Sequence, residues 1–331
     1  MPTVHTAQGH SFSAQDGETI LAAAARQGVQ FPYSCRTGRC SSCKCQVVDG
    51  DTRALQDELG LSPEDQANGW ILSCVRTACT DVSLKVPDLL DVPLPAAKTL
   101  PCRIDALTRV QDDVLLVSLR LPPTQDFSFL PGQYIEVIGP EGQRRSYSLA
   151  CAQAQEYRLS LHVRRVPEGF LSRYWFEQAQ VNDLLRIHGP LGTFVLRQGA
   201  QRDWLFLATG TGIAPVKAML ESMATLPPEQ QPRSVTLYWG ARTAADFYWT
   251  PDFPALPLRY VPVLSRADER WSGARGHVQD QACLDFPDLS QTMVYACGSD
   301  AMIRSAHQRL QAQGLPPNRF HSDAFVASAP T

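Results

Sequence analysis

The sequence predicts a multidomain protein of mixed class: an α+β module, then an antiparallel β-barrel, then a parallel α/β domain. Three observations carry this. The chain has 331 residues, too many for one ordinary core. Its middle third alternates apolar and polar residues between Gly and Pro turns, the period of half-buried antiparallel strands. Its last third switches to apolar strands each followed by a helix-forming run, the pattern of a parallel sheet.

Two joints set the expected boundaries. A proline-rich stretch runs from Val86-Pro87-Asp88 to Thr99-Leu100-Pro101, with Pro93 and Pro95 between. It excludes regular helix and central strand and predicts a stiff, extended connector. A weaker joint lies near Arg197 to Arg202. Domains are therefore expected at 1–90, 102–200 and 201–331, with a linker at 91–101. At 44% hydrophobic residues, each can bury an ordinary core. No stretch approaches the roughly 18 uncharged apolar residues of a membrane helix. Met1 to His10 lacks the basic-then-apolar pattern of a secretory signal, so a cytoplasmic protein with no membrane partner is expected. The net charge of −3, with no basic tract, argues against a nucleic-acid partner. The whole excess falls in residues 1–90, with ten Asp/Glu against seven Lys/Arg. That excess either keeps a surface soluble or steers a basic partner.

The first third reads as small strands, one helix and a long loop. Thr19 to Arg26 is a helix former, and Gly28 sits where a left-handed C-terminal cap is wanted. Ten cysteines are many for a reducing compartment, and their clustering argues for metal or catalysis rather than disulfides. Cys35-x4-Cys40-x2-Cys43, followed at a distance by Cys74, matches the plant-type [2Fe–2S] spacing. One short loop wraps a cluster with three thiolates, and a distant segment closes the cage. Gly38 and small Ser34, Ser41 and Ser42 let backbone N–H groups approach the sulfurs. Structural zinc is the alternative, although its sites usually pair two C-x2–4-C knuckles. Cys79 would serve such a pair with Cys74, and Cys45 reads as a buried spectator thiol.

In the middle third, Val114 to Arg120 and Tyr157 to Val163 alternate as strands. Arg145-Ser146-Tyr147-Ser148 follows the Pro131-Gly132-Gln133-Tyr134 turn at another strand's end. A flavin site needs a cation for the pyrophosphate, an aromatic plane for the isoalloxazine and a hydroxyl near N5. Arg145, Tyr147 and Ser148 supply all three, with Ser146 between; taken alone, the motif also suits a plain exposed strand. His162-Val163-Arg164-Arg165 then precedes Gly169-Phe170-Leu171-Ser172, where a glycine opens a helix whose bare N–H groups suit a phosphate. Gly189-Pro190-Leu191-Gly192-Thr193-Phe194 reads as a turn closing the barrel.

In the last third, Trp204 to Ala208 leads into Gly210-Thr211-Gly212-Ile213-Ala214-Pro215 and a helix. The glycines allow a dinucleotide to come close, and proline favours a first helical turn. The motif is not the G-x-G-x-x-G fingerprint, so that fold's strand order is not claimed. Tyr238-Trp239-Gly240-Ala241-Arg242 ends the next strand and Cys297-Gly298-Ser299 a later one. Ligands sit beyond the carboxyl ends of such strands, which places Cys297, Gly298 and Ser299 near a nicotinamide. Alternatively, Cys297 is a buried thiol beside a helix cap at Ser299. Few cations lie near Arg242 to hold a 2′-phosphate, and Asp246 suits a free ribose hydroxyl, so NADH is expected over NADPH.

The N-terminal motifs Gly17-Glu18-Thr19-Ile20-Leu21 and Phe31-Pro32-Tyr33-Ser34-Cys35 resemble the ferredoxin module of oxygenase and sugar-dehydrase reductases. Ser41 departs from the glycine usual there, and since serine disfavours a positive φ, a shifted loop is expected. The later motifs resemble the ferredoxin–NADP reductase superfamily, with Glu168 in place of a common glycine. Gly142 to Ser148, Tyr295 to Ser299 and Ser322-Asp323-Ala324-Phe325-Val326 look particularly like the CDP-6-deoxy-delta-3,4-glucoseen reductase family. The resemblance implies a β-grasp ferredoxin, an FAD barrel and an NAD domain, in an NAD(P)H-dependent oxidoreductase. Its electrons would run from NADH through FAD and the cluster to a partner enzyme, a dehydrase in deoxysugar synthesis. It further implies that Ser148 bonds N5, that Cys297 lies by the nicotinamide, and that Asp323 and Phe325 face the flavin. Reductase components of ring-hydroxylating dioxygenases and multicomponent monooxygenases share these motifs, so the acceptor is left open between them. A redox-sensing binding protein is a third alternative.

Overall fold

A computed structural model describes residues 1–87, 92–197, 199 and 201–325. The expected boundary at 90–91, the end of the second joint at 198 and 200, and Val326 with the residues after it lie outside them. Contact clustering separates one unit, residues 1–93 with 192–194, from a second spanning 94–191 and 195–325.

The first unit holds β1 (Thr3–Thr6), β2 (Ser11–Ser13), α1 (Ile20–Arg26), β3 (Lys44–Asp49), β4 (Thr52–Ala54), α2 (Pro63–Ala67), β5 (Trp70–Leu72), β6 (Arg76–Ala78) and β7 (Val82–Lys85). Five strands form one sheet in the order β2-β1-β7-β3-β5, with β1 and β7 parallel, while β4 and β6 pair apart. Helix α1 buries Ile20, Leu21, Ala23 and Ala24 in a core with Val4, Phe12, Phe31 and Leu72. Its ends follow the sequence. Thr19 Oγ1 accepts the Ala22 N–H, and Gly28 just past the helix takes a φ of 79°.

The second unit begins with β8 (Lys98–Gln111), β9 (Val114–Arg120), β10 (Tyr134–Ile138), β11 (Arg144–Ser148), β12 (Arg158–Arg164), the short α3 (Phe170–Arg173) and β13 (Leu184–Leu191). All pairings are antiparallel in the order β11-β10-β13-β8-β9-β12, and a bridge between Leu149 and Leu161 joins the two edges into a barrel. Ile104, Leu119, Ile135 and Leu161 fill it. One expectation fails here. The proline-rich connector does not end before the barrel, because β8 starts at Lys98 and contains Pro101 within the sheet's interior. Pro101 pairs with Arg186 of β13, whereas pairing with β9 starts only at Arg103, so the missing N–H breaks no ladder.

The rest is parallel α/β: β14 (Asp203–Thr209), α4 (Ile213–Ala224), β15 (Ser234–Ala241), β16 (Leu258–Leu264), β17 (Ala274–Arg275), α5 (Val278–Asp285), β18 (Thr292–Ser299), α6 (Asp300–Ala312) and β19 (Phe320–Phe325). The order is β17-β16-β15-β14-β18-β19. Strand β14 is buried continuously from Trp204 to Ala208, as a sheet covered on both faces requires. The chain runs outward from β14 to β17, then returns to the other side of β14 as β18. The order therefore reverses between β14 and β18, where open α/β sheets place their ligand crevice.

Candidate functional site

Two arrangements meet the chemical expectations, one in each unit. In the first, Cys40, Cys43 and Cys74 are buried and Cys35 is half-buried. The thiols pair by hydrogen bonding, Cys35 with Cys40 and Cys43 with Cys74. The bond from Cys40 holds the Cys35 thiol down at about 4, and the same bond pushes Cys40 far up. Backbone N–H groups of Thr37 and Cys40 donate to Cys35 Sγ at 3.4 Å, and the Cys35 N–H donates to Cys40 Sγ at 3.5 Å. Such donors stabilise sulfur carrying negative charge.

Two pairs suit a two-iron cluster, in which each iron takes two thiolates, better than one tetrahedral ion. Cys45 lies wholly buried in β3, and burial raises its thiol to about 12. Cys79 is exposed.

The loop's special backbone falls elsewhere than the sequence suggests. Ser41 has no positive φ, and its hydroxyl donates to the Gly60 carbonyl at 2.7 Å. The left-handed residues are Arg36 and Gly38. A Cβ on Gly38 would lie 2.3 Å from the Asp57 carbonyl oxygen, so that position requires glycine. Glu58 of the same buttressing loop accepts the Leu72 N–H and pairs with Arg76, bracketing Cys74 on both sides.

In the second unit, the flavin motif occupies β11. Tyr147 faces Ile135 across the strands, and Arg145 faces Val137. The Tyr147 hydroxyl accepts from Trp175 Nε1 at 3.0 Å, and burial pushes its phenol up. Ser146 is exposed. Ser148 is buried at the end of the strand.

His162 is buried, with Nδ1 3.1 Å from the Tyr248 hydroxyl, and burial holds its imidazole down at about 3. Val163 and Leu171 lie in the barrel core, so only their backbones are available to a ligand. Gly169 opens α3 with no side-chain cap, and Phe170 is exposed. The Ser172 hydroxyl turns inward to accept the Val166 N–H at 2.8 Å. Glu168 is exposed with a φ of 58°.

At the reversal of strand order, glycine decides the packing. A Cβ on Gly212 would stand 2.3 Å from the Cys297 carbonyl oxygen, and one on Gly298 would stand 2.1 Å from Thr209 Oγ1. The same Thr209 oxygen accepts the Ser299 N–H, while Ser299 caps α6 through Met302. The turn before α4 and the end of β18 are thus locked together. Thr211, Ile213, Ala214 and Pro215 are buried beneath that turn.

Gly210 has a φ of 54°, and Arg164 of the barrel, paired with Asp113, passes over it, so that a Cβ there would meet its guanidinium at 2.6 Å. Cys297 is fully buried and its thiol is pushed well up by burial, then by Asp323. Asp323 lies opposite it in β19, the strand into which the expected tail folds, and Phe325 at its end is 41% exposed.

Arg242 is exposed, and one carboxylate oxygen of Asp246 is drawn into its own turn. Its carboxylate accepts the N–H groups of Arg242 and Thr243, capping a short turn. Arg266, bonded through its N–H to the Arg242 carbonyl, brings a second exposed cation to the same strand ends. Arg266 escaped the sequence reading because its proximity to Arg242 arises from the parallel register of β15 and β16, and Tyr248 because it reaches His162 of the barrel from 86 residues along the chain.

These arrangements coincide with known families. Family models match residues 4–79 as a 2Fe-2S iron-sulfur cluster binding domain, 101–196 as an oxidoreductase FAD-binding domain and 206–308 as an oxidoreductase NAD-binding domain. The CDP-6-deoxy-L-threo-D-glycero-4-hexulose-3-dehydrase reductase of Yersinia pseudotuberculosis is 40% identical, over 97% of each chain. Reductase component 2 of terephthalate 1,2-dioxygenase from Comamonas sp is 31% identical, over 97% of this chain and 96% of that protein. Among solved structures, the Amycolatopsis cytochrome P450 reductase GcoB superposes with a TM-score of 0.75 at 30% identity, covering 98% of this chain and 99% of that one.

Proposed function

This chain belongs to the iron–sulfur flavoprotein reductases of the ferredoxin–NADP reductase superfamily, as an NAD(P)H-dependent oxidoreductase with [2Fe–2S], FAD and NAD(P)H domains, and on that premise we propose that it reduces a sugar-nucleotide 3-dehydrase in the cytoplasm. The observation that carries the choice of acceptor is the full-length 40% identity to a hexulose-3-dehydrase reductase, against 31% to a dioxygenase reductase. The second reading, an oxygenase reductase, is supported by that latter similarity. When bound, flavin and cluster together supply conversion of a hydride pair into single electrons.

The chain's own residues would then divide the work. Cys35 with Cys40, and Cys43 with Cys74, each hold one iron, and the N–H groups on Cys35 Sγ offset its charge. Arg145 and the open end of α3, from Gly169 to Ser172, receive the pyrophosphate, with Phe170 beside it. Tyr147 and the strand His162-Val163-Arg164 line the flavin. Ser148 offers its hydroxyl to N5. Gly210 to Pro215 and Cys297 to Ser299 form the floor for nicotinamide, Arg242 reaches the ribose end, and Asp323 and Phe325 close the crevice at β19. The corresponding domains are 1–90, a barrel domain that opens with β8 at Lys98 and runs to 200, and 201–331, with the connector shortened accordingly.

NADH is the proposed donor. Arg242 with Arg266 supports NADPH instead, and a comparison of kcat/KM that clearly favours NADPH would reverse the assignment. The acceptor is tested by cross-linking the tagged holoprotein in its native cells under reducing conditions and identifying its partners by mass spectrometry. A sugar-nucleotide dehydrase is the expected partner; an oxygenase component would replace the proposal with the second reading.

A further inference from the structure

We propose that Lys217 and Glu221 are positioning residues for hydride transfer, a two-residue clamp that ties the chain just past Ser148 to the helix that opens at Gly210–Pro215. The inference rests on the placement of flavin at Ser148 and of nicotinamide at that turn.

Both side chains project from α4 one helical turn apart and form an ion pair. Lys217 Nζ donates to the Ala150 carbonyl at 2.9 Å. Glu221 Oε2 accepts the Ala152 N–H at 3.0 Å. The helix therefore grips backbone on both sides of Cys151, two and four residues beyond Ser148.

Each side of the clamp is anchored to its own half of the crevice. The Ala150 N–H donates to the Ser160 carbonyl of β12 at 2.8 Å, so the gripped segment moves with the strand that carries His162. Lys217 is also close enough that its charge adds to burial in keeping His162 neutral. On the other side, α4 is a stiff rod whose first turn is fixed by Gly212 against Cys297. Holding its second turn therefore fixes the distance between the Ser148 end of β11 and the nicotinamide turn.

Other contacts also cross the crevice. They are Arg164 over Gly210, Tyr248 on His162, and the Gln111 amide on the Ala245 carbonyl.

The clamp matters more to rate than to stability. Lys217 and Glu221 keep 21% and 30% of their side-chain surface in solvent, where an ion pair contributes little to folding. Transfer between two bound rings needs near-contact geometry, and a displacement of about 1 Å costs about 100-fold. A defect confined to positioning should appear in the transfer step and leave binding intact.

The test uses the full-length holoprotein and its Lys217→Met, Glu221→Gln and Lys217→Arg variants. Flavin reduction by NADH and by 4-deuterated NADH is followed anaerobically by stopped flow. FAD content and the Kd for NAD+ are measured alongside. Lys217→Met is expected to slow flavin reduction about 10- to 100-fold, with a full primary isotope effect on the slowed step. FAD content and the Kd for NAD+ should stay at wild-type values. Glu221→Gln should fall between, and Lys217→Arg, which keeps the charge and donors, should restore the rate.

Wild-type rate and isotope effect in Lys217→Met would overturn the clamp. So would loss of FAD or of NAD+ binding in all three variants, since the residues would then be merely structural. Failure of the wild-type holoprotein to reduce its flavin with NADH would instead defeat the underlying placement, and the clamp with it.

Discussion

Three of the four cysteines in the cage lie within nine residues of chain, whereas the crevice draws on strand ends from Ser148 to Phe325. In the cage, one loop supplies three of the thiols and turns its own N–H groups toward sulfur, although its glycine at 38 also answers to the Asp57 carbonyl. In the crevice, no loop suffices. Gly212 meets Cys297, Gly298 meets Thr209 and Arg164 meets Gly210, each contact joining segments at least 46 residues apart. The cage is thus encoded by spacing, and the crevice by register between neighbouring strands. The first should tolerate change around its ligands and none at them. The second should fail wherever two backbones touch.

The largest expected effect removes a ligand. Cys74 is the one proposed ligand supplied from outside the loop, and it is hydrogen-bonded to Cys43. Cys74→Ser should abolish reduction of one-electron protein acceptors while NADH still reduces the flavin at the wild-type rate. Diaphorase assays and stopped-flow traces on the same preparation check this. Loss of both activities in a protein that still holds FAD would break the separation of the two regions.

A backbone contact comes next. Gly212→Ala drives a Cβ to 2.3 Å from the Cys297 oxygen, and no rotamer relieves a clash with backbone. Overpacking of this kind costs about 1–3 kcal/mol. We expect a lower Tm and flavin reduction by NADH slowed about 100-fold. The cluster's spectrum after chemical reduction should not change. A wild-type rate in this variant would show that the crevice floor is softer than its packing implies.

The same contrast explains what could be read from sequence. The loop cysteines Cys35, Cys40 and Cys43, the helix at 20–26 with its cap and the strand-to-helix turns after β14 and β18 were legible as local patterns, while Cys74 was proposed from the spacing of the whole cysteine set. The chemistry-bearing residues of the flavin motif were legible as types. Their surroundings were not, since Trp175 on Tyr147 and Tyr248 on His162 depend on barrel closure. Pro101 misled because a proline inside a strand is harmless where one neighbour is missing, and only the register shows that. Asp246 shows a related limit: one of its carboxylate oxygens caps its own turn, which spacing alone does not reveal. Lys217 and Glu221 look in sequence like any i, i+4 surface pair, and only tertiary contact distinguishes them.

The smallest effect sharpens the comparison at the crevice's phosphate end. Glu168 holds a φ of 58°, a left-handed conformation that favours glycine. A non-glycine residue there costs about 1 kcal/mol, partly offset because glycine frees the unfolded chain. Folding stability should therefore change little in Glu168→Gly. The exposed carboxylate also stands on the loop proposed to meet the pyrophosphate, and removing it should tighten FAD. The expected gain is a few-fold in Kd, measured by flavin fluorescence, and it should shrink as salt screens the charge. Glu168→Gln separates the causes, since it removes charge but keeps the left-handed strain. Equal gains in both variants would assign the effect to charge, and a gain in glycine alone would assign it to backbone. Weaker FAD binding in Glu168→Gly would mean that the glutamate has been recruited to the site, making this loop a register-dependent contact like the rest of the crevice.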